Sequence, residues 1–115
     1  GPAIIARWGA SLSDLPADHI GHEIIAWYLA QAAQTFQAIL EPARIILGGG
    51  VMGTPGLLDR VRAETGKAAA GYFAGTPEEI IVAPALGENT GLLGALAFAA
   101  RPANLDYLLT GTKRA

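Results

Sequence analysis

The residues whose types and spacing could do chemistry are concentrated in one run, Ile45-Ile46-Leu47-Gly48-Gly49-Gly50-Val51-Met52-Gly53-Thr54-Pro55. A brief β-branched stretch enters glycines and leaves through Thr54-Pro55, read as a helix start in which threonine caps and proline is preset for the first helical position. Glycines here permit positive φ and let a ligand approach bare backbone. N–H groups exposed near a helix start attract phosphate or ribose oxygens. A plain strand-to-helix turn is served by one or two glycines, so three in a row followed by Gly53 favour close ligand approach. Gly48, Gly50 and Gly53 also satisfy G-x-G-x-x-G. The dinucleotide fold, however, wants an acidic residue about 20 positions on, at the end of the next strand. That place falls on Tyr72, Phe73 and Ala74, while Glu78 and Glu79 stand at the start of the next strand.

Other candidates carry less. His19 and His22 lie three apart beside Glu23, but a metal site normally needs a third or fourth protein ligand, so they read as helix-entry polar residues. Trp8, Trp27, Tyr28, Tyr72 and Phe73 could stack on a base, yet aromatics at helical spacing are more often core or interface. Asp59, Arg60, Arg62, Glu64 and Lys67 read as a solvated helix face. Ser11 and Ser13 precede no histidine at useful spacing, and there is no cysteine, so nucleophilic catalysis has no support. No residue of this chain is assigned a catalytic role, and none a metal.

The elements that must position the glycine run follow from periodicity. Gly1 to Trp8 reads as the last turns of a helix, and Ser11 to Pro16 as a loop. Apolar residues recurring at Ile25, Tyr28, Leu29, Ala32, Phe36, Ile39 and Leu40 predict a helix from about Asp18 to Leu40 with that stripe as its face. Gln31, Gln34 and Gln37 are its polar positions, and Glu41-Pro42 stops it. Ala43 to Leu47 predicts a buried strand. Leu57, Leu58, Val61, Ala68 and Tyr72 give the buried stripe of the next helix, ended by Gly71. Glu79 to Val82 predicts a second strand, and Leu92 to Ala100 a last helix capped by Asn89 or Thr90. The order helix, strand, helix, strand, helix implies an α/β fold with parallel strands and right-handed crossovers. Residues 103–115 read as a loosely held tail after a segment spanning 1–102.

Composition sets limits on partners. Lys+Arg number 8 against Asp+Glu at 10, which lacks the basic footprint of a nucleic-acid binder. No apolar stretch is long enough to span a membrane and no signal-peptide layout is present, so the chain is expected to be soluble and cytoplasmic. Half of it is hydrophobic (51%) and only 16% is charged, against about a quarter in an average domain. Those apolar faces are expected to pack against more protein or against copies of the chain, giving a homodimer or higher oligomer.

Gly1-Pro2-Ala3-Ile4 with Arg7-Trp8-Gly9, His22 to Gln31, Glu41 to Pro55, and Gly87 to Leu96 resemble, in order and with similar spacing, the C-terminal part of ROK-family fructokinases. The resemblance implies a segment of an actin-like, ribonuclease H-like ATPase domain, about the last third of an enzyme that transfers the γ-phosphoryl of ATP to fructose. It implies that Pro2, Gly50, Val51, Met52, Gly53 and Thr54 line the pocket for the adenosine end of ATP or ADP, with Gly48 and Gly49 as the turn beneath. The phosphate-binding turn, the catalytic aspartate and the zinc module of such enzymes would all lie in an N-terminal lobe upstream, so Mg²⁺ and Zn²⁺ would find no ligands here. The chain alone is then expected to be inactive. ROK-type sugar-responsive repressors resemble the kinases through this same region and offer a rival reading.

Overall fold

Pro2 opens the first helix, α1 (Pro2–Trp8), at a position where its missing N–H would have no intrahelical acceptor. Gly9 closes it at φ 77°, returning its N–H to the Ile5 carbonyl. A single 3-10 turn, Leu12–Asp14, then leads to the long helix α2 (Ile20–Leu40). His19 caps that helix, its Nδ1 accepting the Gly21 N–H at 3.0 Å. Glu41 ends it at φ 45°, just before Pro42. The computed structural model describes residues 1–100, so the expected tail at 103–115 lies outside the described residues.

Strand β1 (Ile45–Ile46) and strand β2 (Ile81–Val82) pair in parallel, Ile45 with Ile81 and Ile46 with Val82, and the Leu47 N–H extends the ladder to the Val82 carbonyl at 2.9 Å. Between them lie a 3-10 turn at Gly50–Gly53, helix α3 (Leu57–Ala69) and a one-turn helix α4 (Pro77–Ile80). The described residues form two compact units, Gly1–Ala83 and a second beginning at Pro84. In the second, a 3-10 turn at Gly87–Asn89 runs into α5 (Thr90–Ala99), none of whose residues is buried. Asn89 holds the N-cap position of α5 without a side-chain bond, whereas the Thr90 hydroxyl donates to the Gly87 carbonyl.

The helix-strand-helix-strand-helix order and the parallel pairing are as expected, but several local readings are corrected. The first strand is Ile45–Ile46 rather than Ala43 to Leu47, and Ile46 is exposed rather than buried. The buried face of α2 is made of small residues, Gly21, Ala26, Ala30 and Ala33, together with His22 and Gln37. Tyr28, Phe36, Ile39 and Leu40 are exposed instead, the last two by 74% and 68%. Small side chains let α2 lie close against α3, whose own buried residues are Leu57, Val61 and Thr65 rather than the expected Ala68 and Tyr72. Glu79 and Ile80 belong to α4, not to a strand, because Thr76 and Glu79 close a reciprocal capping box around its first turn. Thr54 does not cap α3. The glycine run winds a 3-10 turn first, so the helix starts after Gly56 at φ 73°, and Ala70 at φ 47° closes it one residue ahead of Gly71.

The core of the first unit gathers Ile4, Leu12, Ala26, Ala33, Ile45, Leu57, Val61, Ile80 and Ile81. Leu57, Val61 and Ile81 are fully enclosed. Each such burial contributes about 1.5–3 kcal/mol, and together they fix where the end of β1 releases the glycine run.

Candidate functional site

The glycine run leaves β1 through Leu47 and turns on Gly49, whose φ of 97° and ψ of 168° lie in a region open only to glycine. Gly50–Gly53 then coil into a 3-10 turn, with the Met52 N–H donating to the Gly49 carbonyl at 3.0 Å and the Thr54 N–H to that of Val51 at 3.1 Å. Gly50 and Gly53 have ordinary φ, and a Cβ on either would point into open space. The backbone there needs no glycine for its conformation, so their effect is to leave main chain bare. At the start of the turn the N–H groups of Gly50 and Val51 have no partner within the turn itself. This bare backbone fits the approach of a nucleotide.

Three elements that are distant in sequence close around a cleft of about 240 Å³ beside this turn. The start of α1 supplies Gly1 and Ile4, the 3-10 turn after α1 supplies Ser11, Leu12 and Ser13, and the glycine run supplies Gly50, Val51 and Thr54. Thr54 is only 4% exposed, pinned between the Val51 carbonyl and the Leu57 N–H, which donates to its carbonyl at 3.2 Å. The walls are apolar (Ile4, Leu12, Val51) and the rim carries hydroxyls. The lining holds no charged side chain, which suits the base or ribose end of a nucleotide better than its phosphates.

Of the residues expected in the site, Gly50, Val51 and Thr54 line the cleft. Pro2, on α1 between Gly1 and Ile4, does not, and neither do Gly48, Gly49, Met52 and Gly53. Gly49 shapes the turn, and Met52 packs against the core. Ser11, Leu12 and Ser13 were missed, since nothing local marks a short loop after a helix as the third wall of a cleft.

A larger cavity, about 660 Å³, lies elsewhere, a broad groove along α1, α2 and α3 that includes Arg7, Trp27, Tyr28, Arg60 and Lys67 and none of the expected site residues. Lys67 there is raised above its ordinary pKa by its hydrogen bond and charge pairing with Glu64 at 2.7 Å. We place the candidate site at the smaller cleft, because there the glycine run between strand and helix exposes backbone. Both histidines are committed to structure, His19 as cap and His22 through Nε2, which donates to the Pro16 carbonyl at 3.1 Å. Among the described residues no three His, Cys, Asp or Glu side chains converge to hold a metal, so the residues present do not fit Mg²⁺ or Zn²⁺. Trp27 pairs with Tyr28 and Tyr72 with Phe73, while Trp8 stands edge-on to His19 with Arg7 over its ring, and none of the five lines the cleft.

The sequence matches the ROK family over residues 3–101. This chain belongs to the ROK family. Among similar proteins it is 47% identical over 102 residues to a fructokinase of Zymomonas mobilis, covering 86% of this chain and 34% of that protein. It is 36% identical over 100 residues to a fructokinase of Pediococcus pentosaceus and 35% over 102 residues to one of Streptococcus mutans, covering 86% of this chain and 35% and 34% of those proteins. This ROK chain therefore spans about a third of the length of the relatives it matches. Its parallel β1–β2 pair is compatible with an actin-like ATPase fold, and among the described residues no helix is long and apolar enough to cross a membrane.

Proposed function

We propose that this chain supplies the adenosine side of the nucleotide site of an ATP-dependent fructokinase. The observation that carries this reading is the cleft itself, in which the start of α1 and the Gly50–Thr54 stretch, far apart in sequence, face each other across bare backbone. The names of the relatives favour a kinase over the rival repressor reading. In the intact enzyme the γ-phosphoryl passes in line to a sugar hydroxyl, with an aspartate outside this chain as base. This chain contributes positioning, by holding the far end of the nucleotide. The zinc module belongs with the same missing N-terminal lobe.

That lobe is one partner. A second copy of the chain is the other, because α2 turns Phe36, Ile39 and Leu40 outward and leaves them uncovered. A coupled assay with ATP, Mg²⁺ and fructose tests the reading. The chain alone is expected at background, and a separately made N-terminal lobe is expected to restore turnover. Robust turnover by the chain alone, or none with the lobe added when both parts are folded, would overturn it.

A further inference from the structure

Ser11, Ser13 and Asp14 form a hydrogen-bonded relay at the rim of the cleft, and its polarity is fixed by chemistry. The Ser11 hydroxyl has one proton and donates it to Oδ2 of Asp14 at 2.5 Å. A carboxylate can only accept, so this proton is committed. The Ser11 and Ser13 oxygens stand 3.0 Å apart, and with the Ser11 proton taken, the donor in that pair is Ser13. Both serines line the cleft with Gly50, Val51 and Thr54. The Ser13 hydroxyl thus keeps its proton turned toward Ser11 and has lone pairs left for a ligand.

We propose that this relay selects the base of the nucleotide, with Ser13 accepting a hydrogen bond from an amino group and with Ser11 and Asp14 as positioning residues that hold the Ser13 proton away. The proposal rests on the nucleotide reading of the cleft and adds a specificity determinant to it. Adenine and hypoxanthine have nearly the same shape. They differ at position 6, where adenine carries a donor amino group and hypoxanthine an acceptor oxygen. A ring slotted between Ile4, Leu12 and Val51 with its position 6 toward Ser13 is favoured when that position donates. An acceptor there meets the Ser13 lone pairs and finds no proton.

The test is titration of the chain with ADP and with IDP, followed by backbone NMR shifts. The native chain is expected to bind ADP about fivefold more tightly than IDP, the worth of roughly one net hydrogen bond at a partly exposed rim. Ser13→Ala removes the acceptor and is expected to erase the preference by weakening ADP. Asp14→Ala frees the Ser11 proton, lets Ser13 turn its own outward, and is expected to erase the preference by strengthening IDP. A merely structural loss would weaken both ligands together and overturn the proposal. An ADP to IDP ratio unchanged in both variants, with shifts still at Gly50–Thr54, would also overturn it while leaving the nucleotide reading intact. Failure of ADP to shift Gly50–Thr54 in the native chain would overturn both.

Discussion

Arg62 on α3 donates from Nε to the carbonyl oxygen of Ile81 on β2 at 3.0 Å, binding the helix that follows the glycine run to the strand that pairs with β1. Its Nη1 also reaches Asp59 at 3.2 Å, but the Asp59 side chain is 81% exposed. The two bonds should differ in worth. Arg62→Met leaves a buried strand end without its charged donor and is expected to cost about 1–3 kcal/mol. Asp59→Ala removes only a surface pair and is expected to cost less than about 0.5 kcal/mol. Urea unfolding of both variants measures this, and equal losses would contradict it.

Two glycines within helices should respond oppositely to alanine. A Cβ on Gly21 would stand 2.9 Å from His19 Nδ1, 3.3 Å from Leu15 Cδ1 and 3.4 Å from Trp8 Cζ3, so the α2 cap and the end of α1 must give way. Gly21→Ala is expected to destabilise by about 1–3 kcal/mol despite the better helix propensity. On Gly66 the nearest neighbour is Pro77 Cγ at 3.4 Å, an ordinary contact. Gly66→Ala is expected to stabilise by about 0.5–1 kcal/mol. Thermal unfolding that ranks Gly21→Ala above Gly66→Ala would contradict the packing described at the α2 start.

What could be read from the sequence follows from which signals compete locally. The extent of α2, the stop at Glu41-Pro42 and the glycine run between strand and helix were legible, because proline, glycine and apolar spacing act within a few residues. The face of α2 was not. Bulky apolar residues occupy nearly every side of that helix, so periodicity cannot distinguish the buried alanine stripe from Phe36, Ile39 and Leu40, which stay exposed. Thr76-Pro77-Glu78-Glu79 carried a readable capping box that the β-branched Ile80-Ile81-Val82 obscured. In the candidate site the glycine half was legible and the Ser11–Ser13 wall was not, since only folding brings it to Gly50.

The Glu79 carboxyl titrates below its ordinary value of 4.5, held there first by its hydrogen bond to the Thr76 backbone and then by the Thr76 side chain. As pH falls, the unfolded chain therefore takes up this proton before the folded one does. The stability it contributes is full above the ordinary value and is lost as the pH drops through the lower folded value. Glu79→Gln keeps the capping-box geometry without the charge. The stability difference between native and variant protein, from urea midpoints at neutral pH and below pH 4, is expected to shrink on acidification. A difference that grows instead would contradict the capping role.

Association is expected from the uncovered side of α2. Light scattering at rising concentration should give a mass above that of one chain, and the paired change Ile39→Glu and Leu40→Lys should lower it. A stable monomer at high concentration would show that the exposed Phe36, Ile39 and Leu40 need no partner.

Bare backbone at Gly50 and Gly53 is the central claim, and nucleotide titration of the native chain beside Gly50→Ala reads it directly. A Cβ at Gly50 meets nothing within 4 Å and φ there is ordinary, so the variant should be as stable as the native chain or up to about 1 kcal/mol more so. ADP and ATP are expected to bind the native chain weakly and with similar affinity, shifting backbone NMR signals at Gly1–Ile4 and Gly48–Thr54. Gly50→Ala is expected to lose most of that binding while remaining folded. Undiminished ADP binding by Gly50→Ala, shifts confined to regions far from this turn, or tight binding of NAD in place of ADP would contradict it.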